Sequence, residues 1–145
     1  RERSNDDMMS VVLDNPVIWT NGCFDILHRG HVELFKYAKS LGAKLYVGID
    51  SDEKVKQDKG SGRPFNTLED RVAVLESIQY IDKVFPFNTT EELKDLIKEI
   101  KPFVLIVGDD WKNKTVVGDE HAQHVRFFDK LDGYSTTEAL EWKNR

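Results

Sequence analysis

Cysteine is almost missing from this chain. Cys23 is the single one among 145 residues, so no disulfide can close within it, and the composition fits a reducing cytoplasm. Long hydrophobic runs are missing too: the longest, such as Phe103 to Val107, fall far short of the roughly 20 residues that span a bilayer. No secretory pattern opens the chain, since Arg1 to Asp7 is polar and no apolar stretch with a small-residue cleavage site follows. Positive charge is in deficit, with 21 Lys plus Arg against 26 Asp plus Glu and a formal net charge of −5. That balance speaks against nucleic-acid or membrane-surface partners, which want a basic face, but leaves room for a few cations in one nucleotide cleft.

What is present is a balance of 39% hydrophobic and 32% charged residues, at a length that suits one domain with a true core. Residues 1–15 read as an N-terminal tail and 16–145 as that domain. Arg1 to Asp7 is either an expression remnant or the edge of a longer protein.

Strands and helices alternate. Val17 to Thr20 is a β-rich run ending in Asn21-Gly22. After a loop to Gly30, Val32, Leu34, Phe35, Ala38 and Leu41 recur at helical spacing, and Gly42 closes that helix. Leu45 to Ile49 is a second strand, and a polar loop is expected from Ser51 to Asn66. Thr67 caps a helix with the stripe Leu68, Val72, Leu75, Ile78; Lys83 to Phe85 is the third strand. Thr89 or Thr90 opens a helix carrying Leu93, Leu96, Ile97 and Ile100, which Pro102 stops. Phe103 to Val107 reads as a strand covered on both faces. A short helix near Glu120 to His124, a strand Val125 to Phe128 and a last helix from Ser135 complete the series. Such β-α units predict an α/β, Rossmann-like parallel sheet of about five strands with helices on both faces. Ligands bind such sheets beyond the carboxyl ends of the strands, so the loops Asn21–Gly30, Ser51–Asn66, Gly108–Val117 and Leu131–Tyr134 should crowd one edge.

The first of those loops carries the chemistry. His28 and His31 lie three apart at a helix start and so project to about the same side, with Gly30 between them to admit a phosphate to the backbone. Two imidazoles at the positive end of a helix would stabilise charge developing on a phosphate under attack. A metal pair or plain surface histidines are the competing readings, and zinc would need further ligands than Cys23. Ser135, Thr136 and Thr137 after Gly133-Tyr134 give three hydroxyls where a helix cap needs one. Lys56, Lys59, Gly60, Gly62 and Arg63 form either a phosphate-gripping loop or a solvated turn. His121 and His124 are taken as surface histidines, and the stripe from Leu93 to Ile100 as core.

Taken in order, Gly22-x-Phe24-Asp25-x-x-His28-x-Gly30-His31, Lys59-Gly60-x-x-Arg63-Pro64, Leu68-Glu69-Asp70-Arg71 and Gly133-Tyr134-Ser135-Thr136-Thr137 resemble the cytidylyltransferase-like group of the HxGH nucleotidylyltransferases, from about Val17 to Leu140. The resemblance implies attack of an acceptor phosphate on the α-phosphorus of an NTP, with Mg²⁺ assisting and pyrophosphate leaving. It implies that His28 and His31 stabilise the transition state and that Lys59 and Arg63 hold phosphates. Asn21, Gly22, Cys23, Phe24, Asp25, Gly30, Gly108 and Asp109 would join the nucleotide site, and Ser135, Thr136 and Thr137 would receive the β/γ end. Asp110 and Trp111 would face the acceptor; Trp111 could equally pack its loop. Asp25 would orient its loop or help hold the metal, and Arg71 would be structural or lie near the nucleotide. No resident metal site is expected. The partners implied are an NTP and a sugar- or polyol-phosphate, and the family admits a homodimer.

Two subfamilies share the details. The first loop, Arg63-Pro64-x-Asn66-x-Leu68-Glu69-x-Arg71, Val117-Gly118 and the Ser-Thr-Thr stretch look like the adenylyltransferase domain of ADP-heptose synthase. Gly108-Asp109-Asp110-Trp111 instead resembles glycerol-3-phosphate cytidylyltransferase, but Glu33 and Lys130 stand where that family tends to carry a basic residue and an arginine, so more matches favour the heptose type. A nucleotide-sensing module without catalysis is the non-enzyme alternative. A dinucleotide oxidoreductase is disfavoured, because no Gly-x-Gly-x-x-Gly follows the first strand.

Overall fold

The computed structural model describes residues 16–108 and 114–129. Five strands form one all-parallel sheet: β1 (Val17–Gly22), β2 (Lys44–Asp50), β3 (Lys83–Phe87), β4 (Val104–Gly108) and β5 (His124–Phe128). Their spatial order is β3-β2-β1-β4-β5. The chain therefore winds outward from β1 to β3, then crosses back to place β4 on the other side of β1. The carboxyl ends of β1 and β4 flank this reversal, where open α/β sheets hold their ligands.

Strand alternation divides the core in two. Ile18, Leu45, Val47, Ile49, Val104 and Ile106 face one side, with Phe35 and Ala38 of α1 (Arg29–Ser40) and Leu75 of α3 (Leu68–Glu76). Trp19, Phe87 and Leu105 face the other, under Leu93 and Ile97 of α4 (Thr90–Ile100). Each strand thus supplies both layers by its period of two, as a sheet covered on both faces requires. Gly48 interrupts β2 for a packing reason: a Cβ there would lie 2.5 Å from the buried Trp19 ring.

Most expected elements are found, with corrections. The stretch expected as a loop after β2 contains α2 (Asp52–Lys59). Its single buried side chain is Val55, so no apolar stripe marks it; caps do. Ser51 accepts from the Lys54 N–H, Asp52 and Glu53 occupy the first turn, Lys56 and Lys59 the last, and Gly60 the C-cap. β3 extends two residues past Phe85, to Phe87. The helix expected near Glu120–His124 is only a 3₁₀ turn, Asp119–His121, after which His124 already belongs to β5. His121 and His124 therefore do not share a helix face. The helix expected from Ser135 lies outside the described residues, as do Asp109, Asp110, Trp111, Ser135, Thr136 and Thr137.

Candidate active site

The loop from Cys23 to His28 follows β1 and leads into α1 at the switch point. Phe24 pins it: in the left-handed region at φ 44°, its ring is buried against Phe35 at 5.3 Å between centroids. The same ring lies edge-on to His31 at 5.8 Å, and a Cβ at Gly22 would meet it at 3.2 Å. Phe24 thus gives a ligand its backbone only. The side chain is a floor for the histidine above it.

His28 is the N-cap of α1, and His31 is the third residue of the helix. Gly30 N–H donates to His28 Nδ1 at 3.0 Å, while His28 N–H donates to His31 Nδ1 at 3.2 Å. This is a reciprocal capping box in which imidazoles replace the usual hydroxyl and carboxamide. Two consequences follow. An Nδ1 that accepts an N–H is unprotonated, so each neutral ring carries its proton on Nε2. The rings lie 4.0 Å apart at the positive end of α1, presenting two Nε2–H donors as neighbours. The Gly30 N–H, expected to stand open to a phosphate, is instead committed to His28. With the Gly30 N–H so engaged, the two imidazoles are the side chains that crown this helix end.

Asp25 is 5% exposed, and its carboxylate accepts from the N–H groups of Phe65 and Asn66 at 2.5 and 2.8 Å. Asn66 Nδ2 donates back to the Asp25 carbonyl at 3.0 Å. The Arg63 Nε lies 3.7 Å from Asp25 Oδ2, buried and with no hydrogen-bond partner among the described atoms. Of the two roles open to Asp25, the geometry supports orienting the loop: it joins the first loop to 63–66. Arg71, 1% exposed, extends the same unit. Its Nη1 donates to the Cys23 and Asp50 carbonyls, its Nε to the Asn66 carbonyl, and its Nη2 to Asp52 Oδ1. Arg71 is thus structural, fastening the ends of β1 and β2, the start of α2 and the 63–66 turn with one guanidinium.

Beyond the strand ends lies a cavity of about 590 Å³. Asn21, Gly22 and Cys23 line one side, Lys54 and Lys59 of α2 another, and Gly108 a third, with Asp50 at the end of β2. Sequence reasoning found Asn21, Gly22, Cys23, Lys59 and Gly108, but missed Asp50 as a site residue, and Lys54. Burial pushes the Asp50 carboxyl above its ordinary value; Lys54 opposes this, Asp58 adds to it, and Arg71 and Lys59 oppose it again. Arg63 does not line this cavity; it packs on Asp25 instead. Among the described residues no three His, Cys, Asp or Glu side chains converge as metal ligands. His121 pairs with Glu120 at 3.3 Å, and the His124 ring stacks edge-on against Phe103.

A parallel sheet with this strand order, and a helix N-terminus bearing two imidazoles at its switch point, form the arrangement that the sequence motifs predict for a nucleotidyltransferase. The chain belongs to the cytidylyltransferase-like family, whose model matches residues 19–142. It is 46% identical over 125 residues to the bifunctional protein HldE of Sulfurimonas denitrificans, covering 86% of this chain and 26% of that protein. With the same protein of Campylobacter concisus it shares 47% over 121 residues, covering 83% and 25%. The chain thus spans about a quarter of the length of the curated relatives it matches. Among solved structures it resembles the lipopolysaccharide core biosynthesis protein from Thermoplasma volcanium, with a TM-score of 0.65 at 24% identity over 81% of this chain and 98% of that one. Pantothenate synthetase from Thermus thermophilus matches with a TM-score of 0.55 at 15% identity, over 81% and 56%. Both likenesses concern the fold. No helix among the described residues is long and apolar enough to cross a membrane.

Proposed function

We propose that this chain transfers an adenylyl group from ATP to a sugar 1-phosphate of the heptose type, releasing pyrophosphate. The observation that carries the chemistry is the His28–His31 pair. Both Nδ1 atoms are engaged by backbone N–H groups, which aims two Nε2–H donors from one helix end. In-line attack by an acceptor phosphate oxygen forms an O–Pα bond and breaks the bond between Pα and the bridging oxygen to Pβ. The electron pair leaves on pyrophosphate. Negative charge grows on the non-bridging and leaving oxygens, and donors already fixed in place stabilise it without reorganising. No nucleophilic side chain is required, so Cys23 has no covalent role.

Mg²⁺ enters as part of the substrate. It keeps most of its waters and binds chiefly through phosphate oxygens. Lys59, facing the cavity, is assigned to phosphate binding. Arg63, which packs on Asp25 rather than lining the cavity, is assigned to phosphate binding on the motif likeness alone.

The heptose acceptor rests on the motif likeness to ADP-heptose synthase and on the identity with the HldE proteins. CTP with glycerol 3-phosphate is the second reading, favoured by Gly108-Asp109-Asp110-Trp111. A pyrophosphate-release screen crossing ATP, CTP, GTP and UTP with heptose 1-phosphate and glycerol 3-phosphate separates them. Release with ATP and heptose 1-phosphate is expected. Release only with CTP and glycerol 3-phosphate replaces the adenylyl reading, and binding of an NTP with no release from any pair leaves a nucleotide sensor.

A further inference from the structure

Asp50 is an anomaly that nucleotidyl transfer to a phosphate does not explain. It is a carboxylate set at the end of β2 in the cavity, desolvated enough to raise its pKa, in a site whose other business is with anions. Its carbonyl serves Arg71, a bond any residue's backbone can make. Partial desolvation makes its carboxylate costly to keep charged.

On the neighbouring strand, paired with Gly48 two residues before Asp50, stands Asn21, which lines the same cavity. The indole N–H of Trp19, which can only donate, donates to Asn21 Oδ1 at 3.0 Å. That fixes the amide orientation, so its NH₂ group is the polar function left to a ligand. A carboxylate that only accepts and an amide that only donates make a complementary pair for hydroxyl groups, each of which does both. Two alternatives fit less well. A divalent cation would sit against the ammonium groups of Lys54 and Lys59, and no three suitable ligands converge among the described residues. A phosphate group at Asp50 itself would meet a like charge.

We infer that Asp50, with Asn21, forms a hydroxyl-recognising subsite that makes the acceptor a polyhydroxylated phosphate rather than a simple alkyl phosphate. This rests on the transfer reading for the acceptor's phosphate end. The polyol body occupies the cavity, with two or more hydroxyls donating to the Asp50 carboxylate and accepting from Asn21. Charge-assisted hydrogen bonds of this kind are worth about tenfold to a hundredfold in affinity, because an acceptor lacking the hydroxyls displaces water from a partly desolvated carboxylate without replacing its hydrogen bonds.

Calorimetry on the whole chain, with a non-hydrolysable NTP analogue and Mg²⁺, compares heptose 1-phosphate, glucose 1-phosphate and methyl phosphate. The wild type should bind at least one sugar phosphate about tenfold or more tightly than methyl phosphate, and that ratio should collapse in both Asp50→Asn and Asp50→Ala. Melting temperature provides a control. Because the folded-state pKa is raised, the ionised carboxylate destabilises the fold increasingly as pH rises from its unfolded value to above the folded one. Asp50→Asn should therefore melt a few degrees higher than wild type at pH 8, with the gain gone near pH 4. Equal wild-type affinities for all three probes, no measurable binding of any, or a ratio that survives both substitutions would overturn the inference. Pyrophosphate release from the four NTPs is followed in parallel. Release that shows no preference for sugar phosphates removes the subsite and keeps the transferase. Asp50-dependent sugar binding without release from any NTP does the reverse.

Discussion

His28 does two jobs at one residue, and they can be separated. Its Nδ1 caps α1, and its Nε2–H is a donor at the helix end. Asparagine is a good N-cap but has no group at the Nε2 position, whereas alanine has neither function. His28→Asn should therefore hold most of the stability while lowering kcat about 10²- to 10³-fold, the usual cost of one preorganised donor. His28→Ala should show the same kinetic loss and an added ~1 kcal/mol in chemical denaturation. Turnover near wild type in the asparagine variant would remove the catalytic role and leave His28 a cap. Asp82 offers a second residue-scale test. Burial pushes its carboxyl up, but hydrogen bonds from Lys39 Nζ and the Leu45 N–H, both to Oδ2, prevail and hold it below the ordinary value. A depressed folded pKa gives stability that is present above the unfolded pKa, about 3.9, and lost as pH falls through the folded one. Asp82→Asn should thus melt below wild type at pH 7, and the gap should close below about pH 4. The effect is modest because the side chain is 38% exposed.

At the scale of elements, the active-site loop is held by α3 and the turn before it as well as by its own Phe24. Arg71 reaches four acceptors on four segments, and Asp25 ties the loop to Phe65 and Asn66. A lysine keeps the charge but cannot fork, so Arg71→Lys should leave at least two buried acceptors unpaired and cost about 2–4 kcal/mol. Its kcat should fall with no contact to substrate altered, and proteolysis within 60–66 should quicken. Unchanged kcat in a variant destabilised to that degree would show that the clasp serves the fold alone. This clasp marks where the sequence stops being legible. β1, β2, β4, α1 and α4 carry strong periodicity and are recovered nearly to the residue, as is the opposition of His28 and His31. α2 escapes because seven of its eight residues are polar, and only its caps could have revealed it. Asp50 escapes because a carboxylate at a strand end resembles any solvated loop acid; its burial is created by α2 and Arg71, which are packing facts. Arg71 stays ambiguous in sequence because an arginine close to a phosphate-site motif serves either use, and only its four carbonyl and carboxylate partners decide.

The described residues form one sheet with two cores, and this makes ligand binding and stability a single problem. The two buried clusters share every central strand: Ile18 and Trp19 are neighbours in β1, and Leu105 sits between Val104 and Ile106 in β4. Neither face can lose its helices without exposing the strands that the other packs on, so unfolding should be one cooperative transition. The site sits on the loops that all of these elements converge to hold, and its donors are ordered only in the folded chain. A Mg·NTP complex that binds there has no counterpart site in the unfolded state and must stabilise the fold by mass action. At a hundred times its Kd the gain is about 2.7 kcal/mol, which for a domain of this size raises Tm by roughly 5–10 °C. The net charge of −5 adds a long-range repulsion toward the anionic Mg·NTP complex, which salt screens over about 10 Å at 0.1 M. Attraction from the helix end and the cavity lysines acts at shorter range and is screened less. Differential scanning fluorimetry should show a single transition that moves up with Mg·ATP. In the His31→Ala variant, most of that shift should vanish at the same nucleotide concentration. Two separate transitions would contradict the shared-sheet argument, and an unshifted Tm for the wild type with each of the four Mg·NTP complexes would remove nucleotide binding from this site.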